Sequence, residues 1–225
     1  MRPFTYVRPA DEPAARAAGA DAGARFLGGG TTLIDLMRLD VTQRHVAFPA
    51  LVSVERIPEL RGVRVRGDGA VEIGAATPLT DLEAWSEAGL PVVHRMLRYF
   101  GSRPIKHRAT VGGNLCNASP IGDLAPVLSA LDASLVAVGP DGEREIPIDT
   151  FFVGYRRTAL RPGELLARIV VPRAPGTARL GAYKVSRRRE LDISAVAAGM
   201  RVDVDDAGVV RAARLAYGGV AATPM

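Results

Sequence analysis

Two glycine-rich bends hold the residues of this sequence best suited to gripping an anion. The first reads Phe26-Leu27-Gly28-Gly29-Gly30-Thr31-Thr32-Leu33-Ile34-Asp35-Leu36. A strand pattern enters backbone that carries no Cβ atoms, and a helix pattern leaves it with Thr31 or Thr32 near the N-cap. Consecutive free N–H groups ahead of a helix N-terminus favour a phosphate or pyrophosphate. A Rossmann fingerprint is excluded because Leu33 stands where its third glycine belongs, and the Gly-Lys-Ser/Thr ending of a P-loop is missing. Taken alone, the bend fits a plain tight turn as well as an anion site.

The second bend reads Thr110-Val111-Gly112-Gly113-Asn114-Leu115-Cys116-Asn117-Ala118-Ser119-Pro120-Ile121-Gly122-Asp123. It combines bare backbone donors with short hydroxyl and amide side chains and one carboxylate before a helix. Backbone and Thr suit phosphate, while Asn and Asp suit a sugar or polyol. The competing reading is a Gly/Asn/Ser loop in which Asp123 is an N-cap. Two such loops in one chain make a dinucleotide site more credible than either alone. Other chemistry is thinly supported. His45, His94 and His107 lack metal-binding spacing, and Cys116 reads as a small packed residue rather than a nucleophile. No catalytic side chain and no metal site are expected.

The elements that must position these bends read as helix 12–19, strand 24–27, helix 31–38, a strand near 45–48, a hairpin over 62–74, and helices 80–88 and 91–100. An apolar helix over 124–131 follows the second bend. Strands are expected at 134–138, 144–148, 165–171, 180–185, 195–204 and 209–217. Pro172 to Thr177, with two prolines and a glycine, marks the best boundary. The order is α+β, without the strict alternation of a doubly wound sheet. The last three strands form a meander with no helix of their own to cover its apolar face.

Length and composition agree. The chain has 225 residues, 48% hydrophobic and 24% charged, which is globular rather than disordered composition. One cysteine excludes an internal disulfide framework and a self-contained iron–sulfur site. Met1-Arg2-Pro3 is not followed by an apolar run, and the longest apolar stretches are too short for a bilayer, so a cytoplasmic location and no membrane partner are expected. The net charge is +5, and residues 156–189 hold ten basic side chains and one acid, Glu164. Such a stripe suits phosphates, yet only Lys106 and Lys184 of the 29 basic residues are lysines, and aromatics do not interleave with the basic run. Nucleic acid is therefore not an expected partner.

Three segments carry a family resemblance: Thr110 to Asp123, Phe151-Phe152-Val153-Gly154-Tyr155-Arg156-Arg157-Thr158, and Lys184 through Ile193. From Phe4 to about Gly219 the chain resembles the FAD-binding subunit or domain of molybdenum hydroxylases, the xanthine dehydrogenase group. The resemblance implies a p-cresol methylhydroxylase/vanillyl-alcohol oxidase-type fold. Two α+β subdomains (about 1–55 and 56–175) hold FAD between them, and 176–225 begins a C-terminal subdomain that is incomplete here, since the family's continues past the counterpart of Gly218-Gly219. Arg25, Phe26, Leu27, Gly28, Gly29, Gly30, Thr31, Thr32 and Leu33 would line the first FAD loop. Phe100, Thr110, Gly113, Asn114, Ser119 and Asp123 would contribute to the second. Leu166 and Lys184 match positions near the flavin, and Asp192 and Ile193 match the mobile loop beside its ring, where nicotinamide can approach.

The implied function is an electron relay. Partner subunits carry molybdopterin and [2Fe–2S] clusters, and FAD collects their electrons for NAD⁺ or another acceptor. Lys184 would stabilise negative charge on reduced flavin electrostatically. The resemblance thus implies a hetero-oligomer with an iron–sulfur subunit and a large molybdopterin subunit, with dimerisation of that assembly left open. A stand-alone FAD oxidoreductase and a non-catalytic flavin- or nucleotide-binding module are the alternatives.

Overall fold

The structure is a computed structural model and describes residues 3–21, 23–38, 48–189 and 191–225. The first sheet is small and parallel, with β3 (Ala50–Ser53) between β1 (Thr5–Val7) and β2 (Arg25–Leu27). Helix α1 (Glu12–Gly19) starts on Asp11, whose carboxylate accepts from the Ala14 N–H at 2.8 Å, with Pro13 in its first turn. Gly19 makes room for the Phe26 ring, since a Cβ there would lie 2.1 Å from it. Helix α2 (Leu33–Arg38) turns Met37 inward, and Leu33 and Ile34 pack beside it. The strand expected near 45–48 falls almost wholly outside the described residues, among which the next strand after α2 is β3.

The second sheet has the order β4 (Val63–Val65), β5 (Val71–Gly74), β10 (Leu165–Val171), β6 (Ser134–Gly139), β7 (Gly142–Pro147) and is antiparallel throughout. Its central strand is covered on both faces, which is why it reads as an apolar run broken only by Arg168, which pairs with Glu72 and Glu143. Leu166, Ile169 and Val171 join the main core, while Leu165 and Ala167 face Ala15, Val52 and Ile57 of the first unit. The main core lies under α3 (Leu79–Gly89), α4 (Pro91–Leu97), α6 (Val111–Cys116), α7 (Leu124–Ala130) and α8 (Ile148–Phe151). A short α5 (Arg103–Arg108) and a two-stranded ribbon, β8 (Phe152–Gly154) with β9 (Arg157–Thr158), complete this unit.

Three helices were not expected from the sequence: α5, α6 and the single turn α8, which takes Ile148 from the strand expected over 144–148. Helix α5 has its signals, with Ser102 capping the Ile105 N–H and Pro104 in the first turn. Helix α6 hides behind two consecutive glycines, ordinarily poor helix formers. Gly112 is required there because a Cβ would meet Ala75 at 2.7 Å, so the helix lies directly against the chain leaving β5.

The meander β11 (Ala178–Val185), β12 (Val196–Val204), β13 (Val210–Gly218) forms the third sheet. It does not lack a cover, contrary to expectation: α7 of the second unit packs on it. The contact is made of small residues. Ala182, Ala197, Gly199, Ala216 and Gly218 share the buried face, and a Cβ on Gly199 would lie 2.2 Å from the Pro126 carbonyl oxygen. Gly199→Val should therefore lift the meander from α7 and destabilise the chain by about 3 kcal/mol in urea denaturation. Gly67→Ala, where a Cβ meets nothing within 4 Å, should be close to silent.

Candidate cofactor site

The two glycine bends meet. A Cβ at Gly28 would lie 2.5 Å from the Thr110 hydroxyl oxygen, and one at Gly29 only 1.5 Å from the Arg108 carbonyl oxygen. Backbone of the first bend therefore rests on backbone of the second at a separation no side chain permits. Gly30 turns the chain at φ +75° into α2, and its carbonyl accepts the Ile34 N–H at 3.1 Å. Among the described residues, no acceptor takes the N–H groups of Gly28, Gly29, Gly30, Thr31 or Thr32. Five adjacent amide donors on a partly exposed loop form an anion cradle, the grouping that a pyrophosphate satisfies.

The second bend is anchored before it is offered to a ligand. Thr110 caps α6 by accepting the Gly113 N–H at 3.1 Å, and Val111 and Gly112 donate backbone N–H groups to the carbonyls of Thr77 and Ala75. The side chains of Asn114 and Ser119 are half-buried and make no protein hydrogen bond among the described residues, which leaves an amide and a hydroxyl for a polyol. Gly113 has only the Thr110 hydroxyl near its missing Cβ. The segment thus starts against the first bend and ends, 13 residues later, at the third sheet.

Asp123 sits at that far end and is not the N-cap that one reading allowed. Its backbone is helical and its side chain caps nothing. Instead the Lys184 ammonium donates to its Oδ2 at 2.8 Å and the Ser194 hydroxyl donates to its Oδ1. All three side chains are buried. Gly219 adds a backbone bond to the Pro120 carbonyl at 2.8 Å. The second bend therefore links the first sheet's glycine loop to the third sheet through direct contacts at both ends.

The other expected site residues divide. Phe100 packs at the margin of the main core, and Leu166 lies inside it on β10, so its side chain serves packing. Arg25 stacks over the Phe48 ring at 5.4 Å, Phe26 fills the space beside Gly19, and Leu27 is buried. Asp192 spends its carboxylate on its own loop, accepting the N–H groups of Arg188 at 2.9 Å and Ile193 at 3.0 Å. The Arg188 N–H, the Ile193 N–H and the Arg188 guanidinium hold it below the usual carboxylate range. Ile193 projects into solvent, 68% exposed. Cys116 ends α6 as an exposed residue rather than the packed one expected. Protein atoms around its sulfur still disfavour the anion, and desolvation pushes the thiol up to about 12.

Sequence reasoning missed Ser194, which lies 71 positions from its partner Asp123. It also missed that both lysines are buried in ion pairs, Lys106 with Glu83 and Lys184 with Asp123. Two concavities lie elsewhere, one of about 280 Å³ bordered by Ser129, Asp149, Arg214 and Met225, the other of about 220 Å³ beside Glu59 and Arg64. The glycine bends line neither of them; the amides of residues 28–32 lie on a partly exposed loop.

Comparison with known proteins covers both bends. Residues 2–174 match the family described as FAD binding domain in molybdopterin dehydrogenase, and residues 181–225 match the CO dehydrogenase flavoprotein C-terminal domain. Xanthine dehydrogenase of Emericella nidulans is 37% identical over 210 residues, 88% of this chain and 15% of its own. The rat xanthine dehydrogenase/oxidase is 37% identical over 196 residues, 81% of this chain and again 15% of its own. The chain thus spans about a seventh of the length of these relatives. Among solved structures, carbon monoxide dehydrogenase from Oligotropha carboxidovorans superimposes with a TM-score of 0.90 at 30% identity, covering 100% of this chain and 78% of that one.

Two outcomes follow from the geometry. Gly29→Ala should separate the bends, lowering stability by about 2 kcal/mol and weakening FAD binding at least roughly tenfold in a fluorescence titration. Alkylation of Cys116 should keep rising with pH through pH 10, where an ordinary thiol of pKa about 8.5 has levelled off.

Proposed function

The chain belongs to the family of FAD-binding domains in molybdopterin dehydrogenases, and on that premise we propose that it is the flavin component of a xanthine dehydrogenase-type molybdenum hydroxylase. In this role it accepts electrons from iron–sulfur clusters of a partner subunit, which are fed by a molybdopterin-bearing subunit, and passes them to NAD⁺ or another acceptor. The observation that carries the reading is the contact of Gly28 and Gly29 with Thr110 and Arg108, which leaves five neighbouring amide donors of the first bend without protein acceptors.

The donor set fits FAD along its length. The N–H groups of Gly28 to Thr32 would hold the pyrophosphate, with Leu33 opening the helix behind them and Arg25 at the loop's edge. Thr110, Gly113, Asn114 and Ser119 would meet the polyol and the adjoining phosphate. Asp123, Lys184, Asp192 and Ile193 would sit beside the ring, with Phe100 and the β10 backbone around Leu166 as its flanking framework. When bound, FAD supplies the two-electron chemistry that joins one-electron carriers to a hydride acceptor. The protein's own task is binding, orientation and electrostatics. Lys184 is not a bare cation, because Asp123 balances it at 2.8 Å. Its influence on a reduced ring is therefore that of a hydrogen-bond donor in a neutral pair, weaker at long range than the free ammonium the sequence suggested.

Purified protein, or protein reconstituted with the cofactor, should be yellow and release FAD on denaturation. After anaerobic photoreduction in the presence of the iron–sulfur and molybdopterin subunits, NAD⁺ or oxygen should restore the oxidised spectrum. A preparation that binds no FAD on reconstitution would remove this function.

A further inference from the structure

The chain's two lysines use their partners differently. The Lys106 ammonium reaches both carboxylate oxygens of Glu83, at 2.8 and 2.6 Å, and the Leu97 carbonyl at 3.1 Å, so all three of its protons have acceptors. The Lys184 ammonium reaches only Oδ2 of Asp123, while the Ser194 hydroxyl donates to Oδ1. Its side chain is 5% exposed, and no other acceptor among the described residues takes its remaining protons. A buried ammonium with two donors unmatched by protein is costly unless something else accepts them.

The same hydroxyl has a mechanical consequence. Lys184 and Ser194 stand at the two ends of the loop 185–193, and both bind one carboxylate. The base of the loop is closed by the Ala195 N–H on the Val185 carbonyl at 2.8 Å. Above that base the loop is knitted by its own groups, Ser186 donating to the Arg188 carbonyl at 2.6 Å and Asp192 accepting from Arg188 and Ile193. Leu191 sits at φ +56° and is 61% exposed. The described residues of the loop therefore form a braced knob, attached at both of its ends to Asp123.

We propose that Ser194 is a positioning residue of the flavin site: by holding Oδ1 of Asp123 it keeps Lys184 on a single oxygen, leaves that ammonium's other protons for the cofactor, and pins the second leg of the 185–193 knob. The inference rests on the FAD reading above. Without the hydroxyl, Oδ1 becomes a buried acceptor with no donor, and the nearest remedy is a second bond from Lys184, reproducing the two-oxygen grip of Lys106 on Glu83. The ammonium is then drawn onto the carboxylate and away from the ring, and the knob is held by one leg.

Ser194→Ala tests this with two readouts, after a thermal melt shows that the variant is folded; Ser194→Cys, of similar volume and a weaker donor, replaces it if the alanine variant does not fold. In flavin-free protein, tryptic cleavage at Arg187 to Arg189, followed by mass spectrometry, should accelerate roughly tenfold. In loaded protein, the ratio of dissociation constants for reduced and oxidised FAD should rise about fivefold, since the reduced ring loses more from Lys184's withdrawal. A merely structural serine would leave that ratio at the wild-type value. An unchanged cleavage rate or an unchanged ratio overturns the proposal. Failure of the wild-type chain to bind FAD at all is a separate result, overturning the cofactor reading while the cleavage experiment still reports on the clasp.

Discussion

The site depends on a contact that only backbone can make. Where Gly29 lies, any Cβ would fall 1.5 Å from the Arg108 carbonyl oxygen, well inside the hard-sphere limit. The first sheet and the helical layer of the second unit are thereby held together where their loops meet. With the loops in place, the N–H groups of residues 28–32 are grouped and left without protein acceptors. An amide donor without a partner is tolerable where solvent or a ligand reaches it, and the partial exposure of this loop provides that access. Close backbone packing and an open donor set are two consequences of the same missing side chains.

From that contact the order propagates along the second bend. Gly112 lets α6 approach Ala75, Thr110 caps the helix, and the chain continues to Asp123, whose carboxylate takes one donor from each end of the loop in the third sheet. The third sheet in turn lies on α7, the helix that Asp123 precedes, through Gly199 and Gly218. Three sheets are thus coupled to one continuous segment of about fifteen residues. The lysine usage fits this arrangement. Arginine supplies nearly all the positive charge and much of it is placed in surface pairs such as Arg108–Glu55 and Arg211–Asp205. The two ammonium groups are themselves buried, each against one carboxylate, where a compact point charge fits better than a planar fork.

Much of this was legible in the sequence, for identifiable reasons. The bends around Gly28 and Gly113 announce themselves by composition, and the hairpin at Gly67-Asp68-Gly69 and the meander by alternation. Helix α6 was not legible, because its glycines serve a close approach to Ala75 that propensity cannot see. The cover of the third sheet was also out of reach: α7 is separated from β12 along the chain by the six strands β6 to β11 and helix α8, and the small residues that make the contact look unremarkable in a strand. Asp123 illustrates the general case. Before a helix, an aspartate reads as a cap, and only the fold reveals that Lys184 and Ser194 claim its oxygens. Leu166 shows the converse, a position matched to the cofactor by resemblance whose side chain belongs to the core.

The central claim is that the backbone amides of the first bend bind the cofactor's diphosphate. Amide hydrogen exchange of the chain with and without FAD tests it most directly. Exchange at Gly28 to Thr32 should slow markedly on adding FAD and much less on adding riboflavin, which has no phosphate. If FAD binds while those five amides exchange at an unchanged rate, the two bends are not the cradle described here.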